Sequence, residues 1–412
     1  MASVQGGVAG SWWLETQHRM QGVRQMADAL LLGLVFLFGA GFSPVAVGQS
    51  LNLESGPWVL ERSGTTAGLR GIHAVGGGIA WASGTNGTIL RTEDGGYEWQ
   101  SCAMPPGAEK LDFRGIWAWD DQTAIAMSSG PGDASRLYET TDGCSHWTLV
   151  ATNPDRDGFW DAMVFWTRKQ ALAALGDEEG VLLGDPVRGV FQRFDLRRRG
   201  DAIVLSKNLK ETPAAPGAAV FAASNSAMAL GKWSYRGSSP VVWFGTGGKP
   251  GAFVWRLEGV YAEVSEGYPR MASHRWSRVR VPLAGGMESS GVFSLAFRDG
   301  THGVAVGGDY AKPDASAGTA AWSADGGKTW TAAAKPPHGY RSAVAWDADA
   351  KAWIAVGPNG SDISYDDGKT WVPLDGADTR GNWNALSLPW VVGPQGRIGK
   401  LDPGKLPTAP KP

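Results

Sequence analysis

One eight-residue pattern, Ser/Thr-x-Asp-x-Gly-x-Thr-Trp, limits the possible folds more than any other feature of this chain. Ser323–Trp330 reads SADGGKTW and Ser364–Trp371 reads SYDDGKTW. Two looser copies are Thr92–Trp99 (TEDGGYEW) and Thr140–Trp147 (TTDGCSHW), the latter with Cys144 where glycine is expected. Four copies in one register are the mark of an internal repeat. A tight turn between two strands needs a residue with positive φ, which Gly326 and Gly368 supply. The carboxylates of Asp94, Asp142, Asp325 and Asp366 can accept hydrogen bonds from turn backbone N–H groups. Trp99, Trp147, Trp330 and Trp371 are expected to cover their hairpins and pack on the neighbouring repeat. These eight residues are read as structural, not catalytic.

A second signal opens each unit: a bulky pair followed by an apolar, strand-like run. The starts are Leu69-Arg70, Phe113-Arg114, Phe159-Trp160, Val220-Phe221, Val292-Phe293, Tyr340-Arg341 and Asn382-Trp383. They recur roughly every 45 residues, with insertions in the third and fourth units, which suits four short strands per unit. Ile79–Gly84 and Gly87–Thr92 are short apolar runs bounded by Gly and Asn, and no sustained helical period occurs between residue 49 and the C-terminus. Radial stacking buries both faces of such sheets and leaves few open edges. The expectation is an all-β, seven-bladed β-propeller over 49–401. The last unit lacks an Asp/Trp turn and an outer strand, and Trp58–Arg62 can supply that strand. The N-terminal strand is therefore expected to close the last blade, and 402–412 to form a Pro/Lys-rich tail.

The uncharged run Ala29–Phe42 follows Arg19 and Arg24 and precedes the small residues Ala46 and Gly48. That is the layout of a secretory signal within 1–48, cleaved before Gln49, with Met20 or Met26 as alternative starts. The run is shorter than the roughly 20 residues of a membrane span. Membrane contact is expected only through the segment if it stays uncleaved. The mature chain is expected in the periplasm or outside the cell. There Cys102 and Cys144 are either a disulfide or two buried thiols.

Charge and motifs remove several function classes. The net charge of −2 offers no Lys/Arg surplus for a nucleic-acid backbone. Two Cys and six scattered His give no metal-ligand spacing. No glycine-rich dinucleotide loop opens a helix, and Gly327-Lys328-Thr329 lacks the upstream glycine of a phosphate loop. No nucleophile elbow or zinc-protease motif occurs. Neither a cofactor, a metal nor a catalytic residue is assigned. Arg70, Arg114 and Arg341 fall at one position of three unit starts, so they are expected on one ring about the axis. There they would bind an acidic partner or each pair with a nearby carboxylate. Asp309 with Tyr310 is the first acid–nucleophile pair to consider, although a turn aspartate is the simpler reading, as it is for Asp185. The basic stretch 192–211 is read as a solvated inserted loop or an electrostatic docking surface.

The Asp/Gly/Trp turns resemble the BNR or Asp-box repeat of sialidases and related propellers. The whole layout over 55–401 resembles the photosystem II stability/assembly factor family and its non-photosynthetic relatives, some of which carry the name oxidoreductase. That resemblance implies an exported seven-bladed propeller serving as a protein-binding scaffold, with a protein partner. The alternative it leaves is a carbohydrate-binding or sialidase-like protein with a glycan ligand. The sialidase Phe/Tyr-Arg-Ile-Pro motif is absent.

Overall fold

The structure, a computed structural model, describes residues 56–166, 178–199, 202–207, 212–231, 241–262, 270–374 and 381–409. The expected export signal lies outside them, and the strands belong to the compact unit that begins at Ser55. The chain is all-β. The helical elements among the described residues are two short 3-10 turns, Gly132–Ala134 and Pro403–Lys405. No helix there is long and apolar enough to cross a membrane.

The strands form five four-stranded antiparallel sheets and one of nine strands. The first sheet runs Leu69–Gly76, Ile79–Gly84, Ile89–Thr92 and Gln100–Ser101 in sequence order, and the others repeat this meander. In the last sheet the fourth place is held by Trp58–Glu61, which pairs antiparallel with Ile398–Leu401. The nine-stranded sheet consists of two groups of strands joined at one residue pair, Gly247 with Gly291. The first strands of the five four-stranded sheets and of the two groups in the nine-stranded one touch in a closed sequence. Leu69–Gly76 meets Phe113–Ala118, then Trp160–Phe165, Met228–Leu230, Ser290–Phe297, Ala343–Asp347 and Ala385–Ser387, which returns to Leu69–Gly76.

Packing on both faces explains why second strands such as Ala124–Ser128 and Ala352–Gly357 are buried at every position instead of alternating. The four Asp/Gly/Trp turns share one hydrogen-bond scheme. The hydroxyl of the first residue accepts the N–H four residues on: Thr92 from Gly96 at 3.0 Å, Thr140 from Cys144 at 3.1 Å, Ser323 from Gly327 at 2.9 Å and Ser364 from Gly368 at 3.0 Å. The same hydroxyl donates to the aspartate, whose Oδ1 accepts the N–H of Glu98, His146, Thr329 or Thr370 at 2.9–3.0 Å. The Glu98 N–H holds Asp94 below the usual carboxylate range, and the His146 ring and N–H hold Asp142 at about 2. For Asp325 and Asp366 partial burial pushes the carboxyl up, and the Thr329 and Thr370 donors outweigh it. Carboxylates held ionised in this way cannot serve as proton donors near neutrality.

The turn tryptophans are buried and pack on the preceding sheet. Trp147 meets Trp81 edge-on at 6.4 Å between ring centroids, and Trp99 meets Trp390 in the same way at 6.2 Å. Cys102 and Cys144 are joined as a disulfide, linking the segment after Gln100–Ser101 to the turn of the second sheet.

The basic stretch departs from expectation. Val190–Arg199 and Ala202–Lys207 are strands, not a solvated loop, and Gly200, Asp201 and 208–211 lie outside the described residues. Arg193 is buried with its guanidinium over the Trp276 ring, and Arg198 lies over Trp119 and pairs with Glu139. Aromatic faces and a distant carboxylate take up the arginines, which a local reading of charge cannot anticipate.

Candidate functional site

At the end of the sheets where the inner strands begin, four of those strands carry a β-bulge. The register shifts fall between Leu69 and Gly71, Phe113 and Gly115, Trp160 and Ala162, and Val292 and Ser294. The extra residues are Arg70, Arg114, Asp161 and Phe293. A bulge leaves its residue outside the ladder and re-aims the side chain. The residue after each bulge is small because the neighbouring sheet approaches closely. A Cβ on Gly71 would sit 2.6 Å from the Ser83 hydroxyl and 3.1 Å from the Arg114 carbonyl oxygen.

Arg341 does not share this position. Its N–H donates to Gly307 O, as that of Leu69 does to Gly393 O and that of Trp383 to Gly357 O. Arg341 therefore matches the buried apolar residues one place earlier, and Ser342 occupies the place of Arg70 and Arg114. The Arg341 side chain is 0% exposed and ion-paired to Asp362. The expected ring of three arginines is thus corrected to two. These two share one carboxylate: Arg114 Nε donates to Asp112 Oδ2 at 2.8 Å, and Arg70 Nε lies 3.6 Å from Asp112 Oδ1.

Beside them lie two aspartates that no sequence motif assigns to a site. Asp161 is 1% exposed, and its Oδ2 has no hydrogen-bond partner among the described residues. Burial first, then the nearby Asp185, pushes its carboxyl well above the usual range, against the pull of Arg114. Asp185, partly exposed, accepts the Val220 N–H at 2.9 Å, and burial pushes it up to about 7. A carboxyl raised in the native state holds its proton where the unfolded chain has lost it. Stability therefore falls as pH climbs from about 4 to about 7. Asp185→Asn is expected to match the wild-type melting temperature near pH 4 and exceed it at pH 8. Thermal melts across pH check this, and an equal offset at both ends would refute it.

The next arc is aromatic. Phe221 stacks on Phe293 at 3.9 Å, and Tyr340 and Tyr310 meet Phe293 edge-on at 4.8 and 6.0 Å. Asp309 caps a turn, its Oδ1 accepting the Ala311 N–H at 3.0 Å. Burial, then Asp309 and Glu288, raises the Tyr310 hydroxyl above its ordinary range, opposite to what a phenolate nucleophile needs. Between Ala218–Ala219 and Met228–Leu230 the chain leaves the ladder and reaches several other sheets. Ala222 O accepts from Arg114, Asn225 exchanges two bonds with the Met163 backbone, Ser226 bonds the Ser294 hydroxyl, and Ser224 donates to Ser342 O. This crossing segment brings the aromatic arc against the charged one. No group of three or more His, Cys, Asp or Glu side chains is placed to hold a metal among the described residues.

No protein-family model matches the chain, and no curated protein matches it. Among solved structures it is similar to "YCF48 bound to D1 peptide" at 16% identity and a TM-score of 0.51, over 85% of this chain and 98% of that one. YCF48 from Cyanidioschyzon merolae matches at 14% identity and a TM-score of 0.38, over 84% and 99%. The WD40 β-propeller domain of Doa1 matches at 10% and 0.49, over 86% and 100%. Repeated antiparallel meanders that share the first of these folds over most of the chain make this protein a β-propeller.

Proposed function

We propose that the chain is an exported, protein-binding propeller that acts as a scaffold or assembly factor and takes a segment of its partner at the mouth where the inner strands begin. The observation that carries the reading is that mouth, where the charged arc of Arg70, Asp112, Arg114, Asp161 and Asp185 adjoins the aromatic arc of Phe221, Phe293 and Tyr310. Charged groups fix register and apolar rings supply area, the division of labour of a peptide-binding surface. The YCF48 structure was solved with a D1 peptide bound, which supports peptide recognition by a propeller of this fold.

Seven blades form the frame of the proposal. The closed sequence of inner-strand contacts supports that number, as does division of the nine-stranded sheet at its one joining pair. The pairing of Trp58–Glu61 with Ile398–Leu401 supports closure of the last blade by the N-terminal strand. The shared hydrogen-bond scheme of the four turns supports an Asp-box repeat. Export is supported by the Ala29–Phe42 segment and by a disulfide, which persists in oxidising compartments. The glycan-cleaving alternative loses its arginine triad with the burial of Arg341.

Affinity capture from the source cell envelope tests the reading. The Arg114→Gln, Phe221→Ser double variant is expected to retain at least tenfold less of the partner captured by the wild type, with its melting temperature within a few degrees. Undiminished capture by a folded variant would overturn the placement of the site.

A further inference from the structure

We infer that Asp161 and Asp185 form a subsite for the basic side chain, lysine or arginine, of a bound peptide. The inference rests on the peptide-binding reading of the mouth and adds the charge of what enters it. Asp161 stands at a bulge, where its side chain is turned out of the ladder, and yet it is 1% exposed with Oδ2 unpartnered among the described residues. A buried carboxyl oxygen left without a partner is costly, and a bound cation or donor would satisfy it. The groups that face it are the backbone N–H of Asp185 and of Ala222, the Asp185 carboxyl and Arg114. Arg114 attracts the Asp161 carboxyl without bonding it through these atoms, because its Nε is on Asp112 and its Nη1 donates to Ala222 O. Asp112 also faces Arg70, so the two guanidiniums of the arc already have an anion between them. Asp161 and Asp185 are therefore the carboxyls of the mouth that no guanidinium among the described residues pairs directly, and they become anionic as their raised groups lose their protons.

A metal ion needs more donors than two carboxylates, and no cluster of three or more acidic, His or Cys side chains is present among the described residues. An ammonium or guanidinium needs only these two, entering past the partly exposed Asp185. Its aliphatic stem can lie along the adjacent aromatic arc. Because burial raises both carboxyls, seating a cation favours loss of their protons, and affinity rises with pH.

The test uses the full chain and capped heptapeptides with identical Ser-Phe-Ala and Ala-Phe-Ser flanks and Lys, Arg, norleucine or Glu at the centre. Binding is measured by calorimetry at pH 6 and pH 8. The Lys and Arg peptides are expected to bind at least tenfold more tightly than norleucine, with the gap wider at pH 8. Asp161→Asn, and independently Asp185→Asn, are expected to erase the gap and its pH dependence while leaving the norleucine peptide unchanged. Equal binding of all four peptides, or a Lys preference that survives in both folded variants, would overturn the subsite and leave the peptide-binding reading standing. Binding of none of the four would overturn the subsite and count against that reading as well.

Discussion

Replacing Asp362 with alanine is expected to destabilise the fold by about 3–5 kcal/mol, the range for breaking a buried ion pair from one side. Arg341 and Asp362 are 0% and 1% exposed. The guanidinium places Nε 2.7 Å from Asp362 Oδ2 and Nη2 on the same oxygen, and its Nη1 donates to Tyr340 O and Asn359 Oδ1. His338 Nδ1 lies 2.9 Å from the other carboxylate oxygen, and that contact raises the His338 pKa. The corresponding places in other sheets hold Leu69, Phe113, Trp160, Val292 and Trp383, all buried and apolar. Without Asp362 the buried guanidinium loses the carboxylate that its Nε and Nη2 contact. Arg341→Leu leaves the buried carboxylate with His338 but without its guanidinium and should cost a similar amount. Combining Arg341→Leu with Asp362→Asn should recover most of the loss, because a buried pair contributes little net stability beyond an apolar substitute. Denaturant midpoints of the two single variants and the double measure this, and a single-variant loss below about 1 kcal/mol would contradict the pairing. In Asp362→Ala the His338 titration should move back toward lower pH.

The turns were legible in the sequence because their physics is local. The hydroxyl and carboxylate bonds that shape each turn close within five residues, so hydroxyl, carboxylate and glycine recur at fixed offsets. The strand starts were only partly legible, because the bulge adds one residue to a strand whose register is fixed by the strand beside it. Bulky neighbours hid the frame: Phe159 beside Trp160, Tyr340 beside Arg341, Asn382 beside Trp383. Shifting each by one moves Arg341 into the core and brings Asp161 and Asn384 into line with Arg70 and Arg114. A residue's capacity to be buried was the usable signal, since Trp160 and Trp383 suit the core place better than Phe159 and Asn382 suit it together. Arg341 defeats even that rule, because its partner Asp362 lies in a different strand. The fourth inner strand was opaque for another reason: the preceding residues 220–227 leave the ladder to bond three other sheets and the other group of their own, contacts that no periodicity encodes.

Removing the Cys102–Cys144 bond should cost about 4 kcal/mol on the chain-entropy account for a 42-residue separation, and the route of removal should change the figure. The bond joins adjacent sheets, where the Ala103 N–H also donates to Cys144 O at 3.1 Å. Cys144 sits at φ +67°, in the place where the other three turns have Gly96, Gly327 and Gly368 at +81° to +91°. A non-glycine residue in that region carries roughly 1–2 kcal/mol of strain. Cys144→Gly loses the crosslink and relieves the strain, whereas Cys102→Ser loses the crosslink and keeps it. The glycine variant should therefore be the more stable of the two by about 1 kcal/mol, although both fall below the wild type. A thiol reductant should lower the wild type to the level of Cys102→Ser and leave Cys144→Gly unchanged. Equal stability of the two variants would mean that the turn does not strain Cys144. The substitution of cysteine for a turn glycine then reads as an exchange of local backbone comfort for a covalent tie between sheets, an exchange that gains stability only where the bond can form. A chain folded in a reducing cytoplasm would keep the strain without the tie, which links this measurement to the proposed export.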